Sequence, residues 1–172
     1  MPHKRKQKGI SMRVATRTNL AARVLMFSAV HTQRLVTTAE IAHACNCSSH
    51  HLAHVVQRLQ SNGYISTVRG RSGGLCLARP KDQISVGAIF RLFEGDIPIA
   101  ECFDDKSNAC PLVKDCRLRN YILRAQEAFY HELDMVTLDD LVRGNCGLVD
   151  LLTMQPAPAG RCKSASSGGS AR

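Results

Sequence analysis

Three cysteines in one short stretch carry the most specific chemistry in this sequence. Cys102, Cys110 and Cys116 follow the spacing C-x7-C-x5-C, with turn-forming residues between them. A loop does not impose the fixed side-chain separation of a helix or a strand, so three thiolates in one loop are able to converge on one centre. Thiolates ligate both iron–sulfur clusters and structural zinc. The stretch therefore predicts a metal centre.

The spacing favours an iron–sulfur cluster over zinc. Structural zinc normally takes four protein ligands, with cysteines paired about two to four residues apart, whereas this stretch offers three cysteines and no close pair. Pro111 follows Cys110 directly, as proline follows a cluster ligand in bacterial ferredoxins. We therefore expect a cluster on Cys102, Cys110 and Cys116, with a fourth ligand from elsewhere in the protein. Cys146 is an outside candidate for that place.

The other cysteines predict less. Cys45 and Cys76 occupy apolar positions of a helix and a strand, so we expect them to be small core residues. Cys47 is expected in a turn, and Cys162 lies in the C-terminal segment. The basic N-terminus is not followed by a signal-type apolar stretch, and no apolar run is long enough to cross a bilayer. We expect a cytoplasmic protein with reduced thiols and no membrane partner.

Charge is divided unequally along the chain. Residues 1–81 hold 13 Lys and Arg against one acid, a net charge of +12, while residues 82–172 hold 10 against 13, a net charge of −3. A basic half joined to a mildly acidic half predicts a module that binds a polyanion, attached to a second region.

The basic half has the pattern of a winged helix-turn-helix. Apolar spacing predicts a helix from Thr18 to near His31, and a Thr37–Glu40 capping box opens a second helix that ends near Cys45. A third helix begins at Ser48 or Ser49 and ends at Asn62-Gly63. Two short strands, 64–68 and 75–78, flank a basic, glycine-rich tip and predict a hairpin. A short helix capped by Ser85 follows and runs through Phe93.

This fold class, mainly α with a small β-hairpin wing, predicts binding to double-stranded DNA. The third helix would enter the major groove because its first turn is polar, and the wing arginines would hold phosphates. The expected DNA contacts are Arg17, Ser48, Ser49, His50, His51, His54, Arg69 and Arg71. The three histidines also allow metal binding as an alternative.

A long helix is expected from Arg117 to Val136. Its apolar residues recur every three or four positions and predict a dimerisation face, with packing on the helix's own domain as the alternative. These apolar residues are Leu118, Ile122, Ala125, Phe129, Leu133 and Val136. We expect the chain to divide into a flexible basic extension (1–11), a winged helix-turn-helix domain (12–93), a cluster-binding loop (94–116), a dimerisation helix region (117–154) and a disordered tail (155–172).

These stretches resemble the Rrf2 family of bacterial winged-helix regulators over about residues 12–152. The likeness lies in Met12–Arg23, Ser48–Val56, Val68–Gly74, the cysteine loop and Thr137–Val142. It implies a homodimeric transcriptional repressor with a 4Fe-4S cluster on the three loop cysteines; a 2Fe-2S cluster is the alternative. Within the family, the run His51–Val56 of the third helix and the segment Thr137–Val142 resemble the nitric-oxide-sensing branch, in which nitric oxide is the signal. The iron-responsive branch, which regulates iron uptake genes, is the runner-up.

Two positions depart from relatives within the family. Some nitric-oxide-sensing members take the fourth ligand from an Asp in the first helix of the partner subunit, and Asn19 stands there in this chain. The cluster-biogenesis branch uses a His three residues after the last cysteine, where this chain has Arg119. Asn19 is a candidate fourth ligand by its position alone, and the cluster-biogenesis function is disfavoured.

Two other function classes have less support. The sequence has no C-x-x-C, no phosphate-binding glycine loop and no nucleophile with an evident base, so we do not expect an enzyme. A zinc-stabilised DNA-binding module without a sensing role remains open, and metal analysis separates it from the cluster protein.

Overall fold

A computed structural model describes residues 14–104 and 106–153. Expectations for residues 1–11 and 155–172, including Cys162, lie outside the described residues. The helices are α1 (Thr16–Val30), α2 (Thr38–Ala44), α3 (Ser49–Ser61), α4 (Val86–Glu94), α5 (Arg117–Asp134), α6 (Leu138–Val142) and α7 (Cys146–Thr153), and the strands are β1 (Ile65–Val68) and β2 (Gly74–Leu77). The strands pair antiparallel, from Ile65 with Leu77 to Val68 with Gly74. The predicted fold class is confirmed.

Side chains that cap the helices explain where two of the shorter ones begin. At α2, the Glu40 amide donates to the Thr37 hydroxyl at 3.1 Å and the Thr37 amide donates to the Glu40 carboxylate at 2.6 Å, which confirms the predicted capping box. Thr137 and Asp140 form the same box at α6. Helix α3 begins where expected, with Ser48 in the N-cap position, but the Ser48 side chain makes no capping hydrogen bond. Ser48 is exposed, so water is able to satisfy the first amides of α3.

The core is aliphatic and surrounds α1. Leu20, Val24 and Leu25 of α1 are buried, and α1 packs on α3, α4 and α6. The hairpin joins this core through Leu75, which also exchanges backbone hydrogen bonds of 3.0 and 2.8 Å with Val36. That additional pairing did not show in the sequence, because Val36 is a single residue between a turn and a helix cap.

Helix α5 leaves the core and packs mainly on α4. Tyr130 is its one buried residue, and Phe129 meets Phe90 of α4 edge-to-face at 6.0 Å. Of the predicted apolar stripe, the residues near the C-terminal end are half-buried, while Leu118 is 64% exposed. The stripe therefore contacts its own domain at one end and projects from it at the other.

After α5 the chain returns to the N-terminal domain. Ser85 and Thr137 form a β-bridge, and Leu138 and Val142 of α6 are buried in the core. Leu148 and Leu152 of α7, a helix that the sequence pattern did not predict, pack against the same core. None of the helices within 14–104 and 106–153 combines the length and apolarity needed to cross a membrane.

Candidate cluster loop and nucleic-acid interface

Helix α3 has one buried face and one face open to solvent. Leu52, Val55 and Leu59 are buried, because the spacing of three and four residues places them on one side of the helix. The predicted DNA contacts Ser48, Ser49, His50, His51 and His54 are all exposed. The polar start of α3 is thus open to solvent.

The wing carries two exposed arginines. Arg69 and Arg71 are exposed in the turn between β1 and β2, and among the described residues neither guanidinium has a hydrogen bond or an ion pair. Gly70 between them has a φ of 115°, which favours glycine. The local geometry suits contact with phosphate oxygens.

Arg17 has a contact that the sequence did not predict. Its Nε donates to the carbonyl of Phe93 at 3.0 Å, which attaches the first turn of α1 to the end of α4. Arg17 remains exposed. One part of this side chain is therefore held by the protein, and a DNA contact would fall to its terminal nitrogens.

Glu94 fixes the start of α1 to the start of the cysteine-containing segment. Its Oε1 accepts a hydrogen bond from the Ala15 amide at 2.8 Å and another from the Thr18 hydroxyl. Ala15 has no capping side chain of its own, so Glu94 supplies the missing acceptor from another helix. Sequence reasoning missed Glu94, because the partners are 79 residues apart and no local spacing relates them.

Two acids brace the cysteine loop. Glu101 accepts from the Ala109 amide at 3.0 Å, and Asp104 accepts from the Lys106 amide at 2.9 Å and from the Ser107 hydroxyl at 2.5 Å. The hydrogen bond from Ser107 holds the pKa of Asp104 below its usual value. The described residues of this part of the loop are therefore held by side chains as well as by the backbone.

Arg119 connects the loop to α5. Its Nε donates to the carbonyl of Cys102 at 3.1 Å, and its guanidinium lies 4.7 Å from the centre of the Phe103 ring. Cys116 occupies the N-cap of the same helix, where the helix dipole favours negative charge. The first and last cysteines of the loop are thus both joined to the N-terminal end of α5.

The three cysteines match a cluster in chemistry, although the structure does not assemble them. Cys102, Cys110 and Cys116 are half-buried free thiols. Within the described part of the chain, no three His, Cys, Asp or Glu side chains are grouped so as to hold a metal ion. Three thiols supply the donor type that an iron–sulfur cluster requires. The ligand assignment and the place of the exposed Asn19 stay predictions.

Cys45 differs from the loop cysteines in its surroundings. It packs with Cys47 against the hydrophobic core, and burial raises the pKa of the Cys45 thiol. A raised pKa disfavours the thiolate that ligates metals. Cys45 therefore suits the predicted role of a small core residue.

Comparison with known proteins identifies close relatives. The model of the Rrf2 family, described as an iron-dependent transcriptional regulator, matches residues 14–144. The chain is 39% identical over 142 residues to the helix-turn-helix transcriptional regulator NsrR of Geobacillus kaustophilus, covering 82% of this chain and 97% of the relative. It is 40% identical over 151 residues to the transcriptional repressor NsrR of Streptomyces coelicolor, covering 87% of this chain and all of the relative.

Solved structures agree with the fold. CymR, the global cysteine regulator of Bacillus subtilis, superposes with a TM-score of 0.60 at 27% identity, covering 76% of this chain and 96% of CymR. IscR of T. potens superposes with a TM-score of 0.59 at 23% identity, covering 76% of this chain and 86% of IscR. At that identity the second likeness concerns the fold alone.

Proposed function

Because the chain belongs to the Rrf2 family of transcriptional regulators, we propose that it is a homodimeric, cytoplasmic repressor whose operator binding depends on an iron–sulfur cluster and ends when nitric oxide attacks that cluster. The named NsrR relatives support this function. The observation that carries it is the position of the cysteine loop, which is joined to α5 through Arg119 and begins at the residues that hold α1.

The proposed ligands are Cys102, Cys110 and Cys116, with a 4Fe-4S cluster as the expected type. When bound, such a cluster supplies iron that reacts with nitric oxide. Ligation would hold the three thiolates at fixed separations and so order the loop between Arg119 and Glu94. Loss of ligation would release the Cys102 side chain from the cluster. The backbone carbonyl of the same residue accepts the hydrogen bond from Arg119, so movement of Cys102 would disturb that contact with α5.

The same contacts give a physical route from the loop to the DNA-binding face. Glu94 holds the first turn of α1, which carries Arg17, and α1 packs directly on α3. A displacement of the loop would thus change how α1 and α3 are held relative to α5. In a dimer joined through α5, that change alters the separation of the two α3 helices, and a palindromic operator requires a fixed separation.

Exposed apolar side chains on α5 support dimer formation. Leu118 and Tyr121 are each 64% exposed and Leu123 is 42% exposed. A groove of about 470 Å³ lies between α4, the segment after it and α5, and Phe90, Ile97, Ile122 and Phe129 are among its lining residues. Exposed apolar side chains and an apolar groove are typical of protein interfaces. We propose that the partner subunit covers it.

Regulation by iron supply is the second candidate. The family model is described as iron-dependent, and the iron-responsive branch resembles this chain in the cysteine loop and at Asn19. Both candidate functions need the same fold, a cluster on the loop cysteines and binding to an operator. They differ in the signal that releases the DNA.

Operator release under two treatments tests the proposal. A duplex is selected from a random pool with anaerobically purified, cluster-loaded protein, and its affinity is followed by fluorescence anisotropy. A few equivalents of nitric oxide per cluster should release the duplex within minutes, whereas a mild iron chelator should leave it bound. Release by the chelator at the same rate or faster would replace nitric oxide by iron as the signal.

A further inference from the structure

Two histidines on the exposed face of α3 have the arrangement of a chelating pair. His50 and His54 are separated by four residues, and both are exposed. Residues at this separation are neighbours on a helix surface, and zinc enzymes use a His pair with the same spacing on one helix. The ring centroids lie 5.3 Å apart and the rings are perpendicular.

The separation of the two ring centroids is close to that of two imidazoles bound to one metal ion. With a metal–nitrogen distance of about 2.0–2.1 Å, a nitrogen-to-centroid distance of about 1.2 Å and a tetrahedral angle, two imidazoles on one zinc ion have centroids about 5.2 Å apart. The separation of the His50 and His54 rings therefore matches that of two imidazoles on a common ion, and rotation of the two side chains would direct one nitrogen of each ring towards it. His51 differs, since its ring is 6.2 Å from that of His50 and adjacent helix residues do not face each other.

The surroundings leave the pair available for a ligand. Helix α3 contains no Asp or Glu, so no acid on this helix competes for the imidazoles. Arg58, the one Lys or Arg on α3, is directed elsewhere, because it donates to the Leu92 carbonyl at 2.6 Å and to Asp96 at 2.7 Å. A cation placed between the two rings would meet no charged side chain of its own helix.

We propose that His50 and His54 form a second metal site, which binds a divalent transition-metal ion such as Zn²⁺, with water in the remaining positions. Neutral imidazole is a common ligand of such ions. The site lies on the face assigned above to the major groove, so an ion bound there excludes the base contacts of the same side chains. The competition with DNA rests on the proposed function, whereas metal binding does not.

Zn²⁺ titration of the cluster-loaded protein tests the site, since the proposed loop ligands are then occupied. The ring resonances of His50 and His54 should shift together and saturate at one Zn²⁺ per chain. His50→Gln and His54→Gln should each abolish the saturable step. His51→Gln, His43→Gln and the double variant Cys45→Ser/Cys47→Ser should retain it. Absence of a saturable step in the wild type, or its persistence in His54→Gln, would overturn the proposal.

A second measurement separates the site from its effect on DNA. One equivalent of Zn²⁺ should weaken binding of the selected duplex by the wild type and leave His54→Gln unaffected. If Zn²⁺ saturates the pair but the affinity for the duplex is unchanged, the competition is wrong. If the protein binds no duplex under any condition, the proposed function fails while the resonance titration still decides the metal site.

Discussion

Replacing Gly87 by Ala tests the packing that holds α5 on the DNA-binding domain. Gly87 is the second residue of α4 and is buried. A Cβ atom added there would lie 2.7 Å from the backbone nitrogen of Asp134 and nearer still to its carboxylate. Because one of these atoms belongs to the backbone, a side-chain rotation cannot relieve the contact, and α4 and α5 must move apart.

The size of the effect follows from two opposing terms. An overpacked contact typically costs about 1–3 kcal/mol, and the backbone clash places Gly87→Ala in the upper part of that range. The substitution also gains up to about 1 kcal/mol of helix propensity. The net loss of about 1–2 kcal/mol corresponds to a fall of about 2–8 °C in melting temperature for a chain of this size.

Gly147 provides a matched control. It is the second residue of α7, and a Cβ atom added there would meet no atom of the described residues within 4 Å. Gly147→Ala should therefore raise the melting temperature by about 2–4 °C through helix propensity alone. Melting followed by circular dichroism at equal protein concentration compares the two variants. If Gly87→Ala melts at or above the wild-type temperature, the close approach of α4 and α5 is wrong.

Three further predictions concern the wing, a buried carboxylate and a helix cap. Replacing Arg69 and Arg71 together by Ala should reduce the slope of log affinity against log salt by about 1.8, at about 0.9 per phosphate contact; an unchanged slope in anisotropy titrations contradicts phosphate binding by the wing. Asp139→Asn should destabilise the fold at neutral pH, because the Lys81 ammonium, 3.0 Å from the carboxylate, holds the pKa of this buried carboxyl below its usual value. The stabilisation by the ionised Asp139 is present above the unfolded-state pKa of about 3.9 and is lost as the pH falls through the lower folded-state pKa. The urea unfolding curves of Asp139→Asn and the wild type should therefore converge in acid. A difference in midpoint that stays constant with pH would contradict stabilisation by the ionised carboxylate. Thr137→Ala should cost about 1 kcal/mol by removing the capping box of α6, and an unchanged urea midpoint would show that the box contributes nothing.

Elements whose signals are local were predictable from the sequence. The capping box at Thr37, the stop at Gly63 and the alternation between buried and exposed positions of α3 each depend on residues within one or two turns. The same holds for the exposure of the wing arginines, which follows from a glycine-rich turn between two short strands.

Features that depend on distant residues were not predictable. Glu94 caps a helix 79 residues away, and the return of α6 to α1 depends on a bridge between Ser85 and Thr137. The helix beginning at Cys146 was missed because its eight residues are too few to show a long apolar repeat. Its apolar residues are instead recognised by their packing against the core. The arrangement of the three loop thiols was not predictable for a different reason, since thiolates that bind a metal acquire their final arrangement when the metal is bound.

Iron and acid-labile sulfide in anaerobically purified protein, together with its visible absorption, test the central claim most directly. The wild type should be brown and contain both elements, and Cys102→Ala, Cys110→Ala and Cys116→Ala should each lose the colour. Cys45→Ala and Cys76→Ala, which change half-buried cysteines outside the loop, should keep it. A fully occupied cluster in Cys110→Ala, or zinc in place of iron and sulfide in the wild type, would contradict the account.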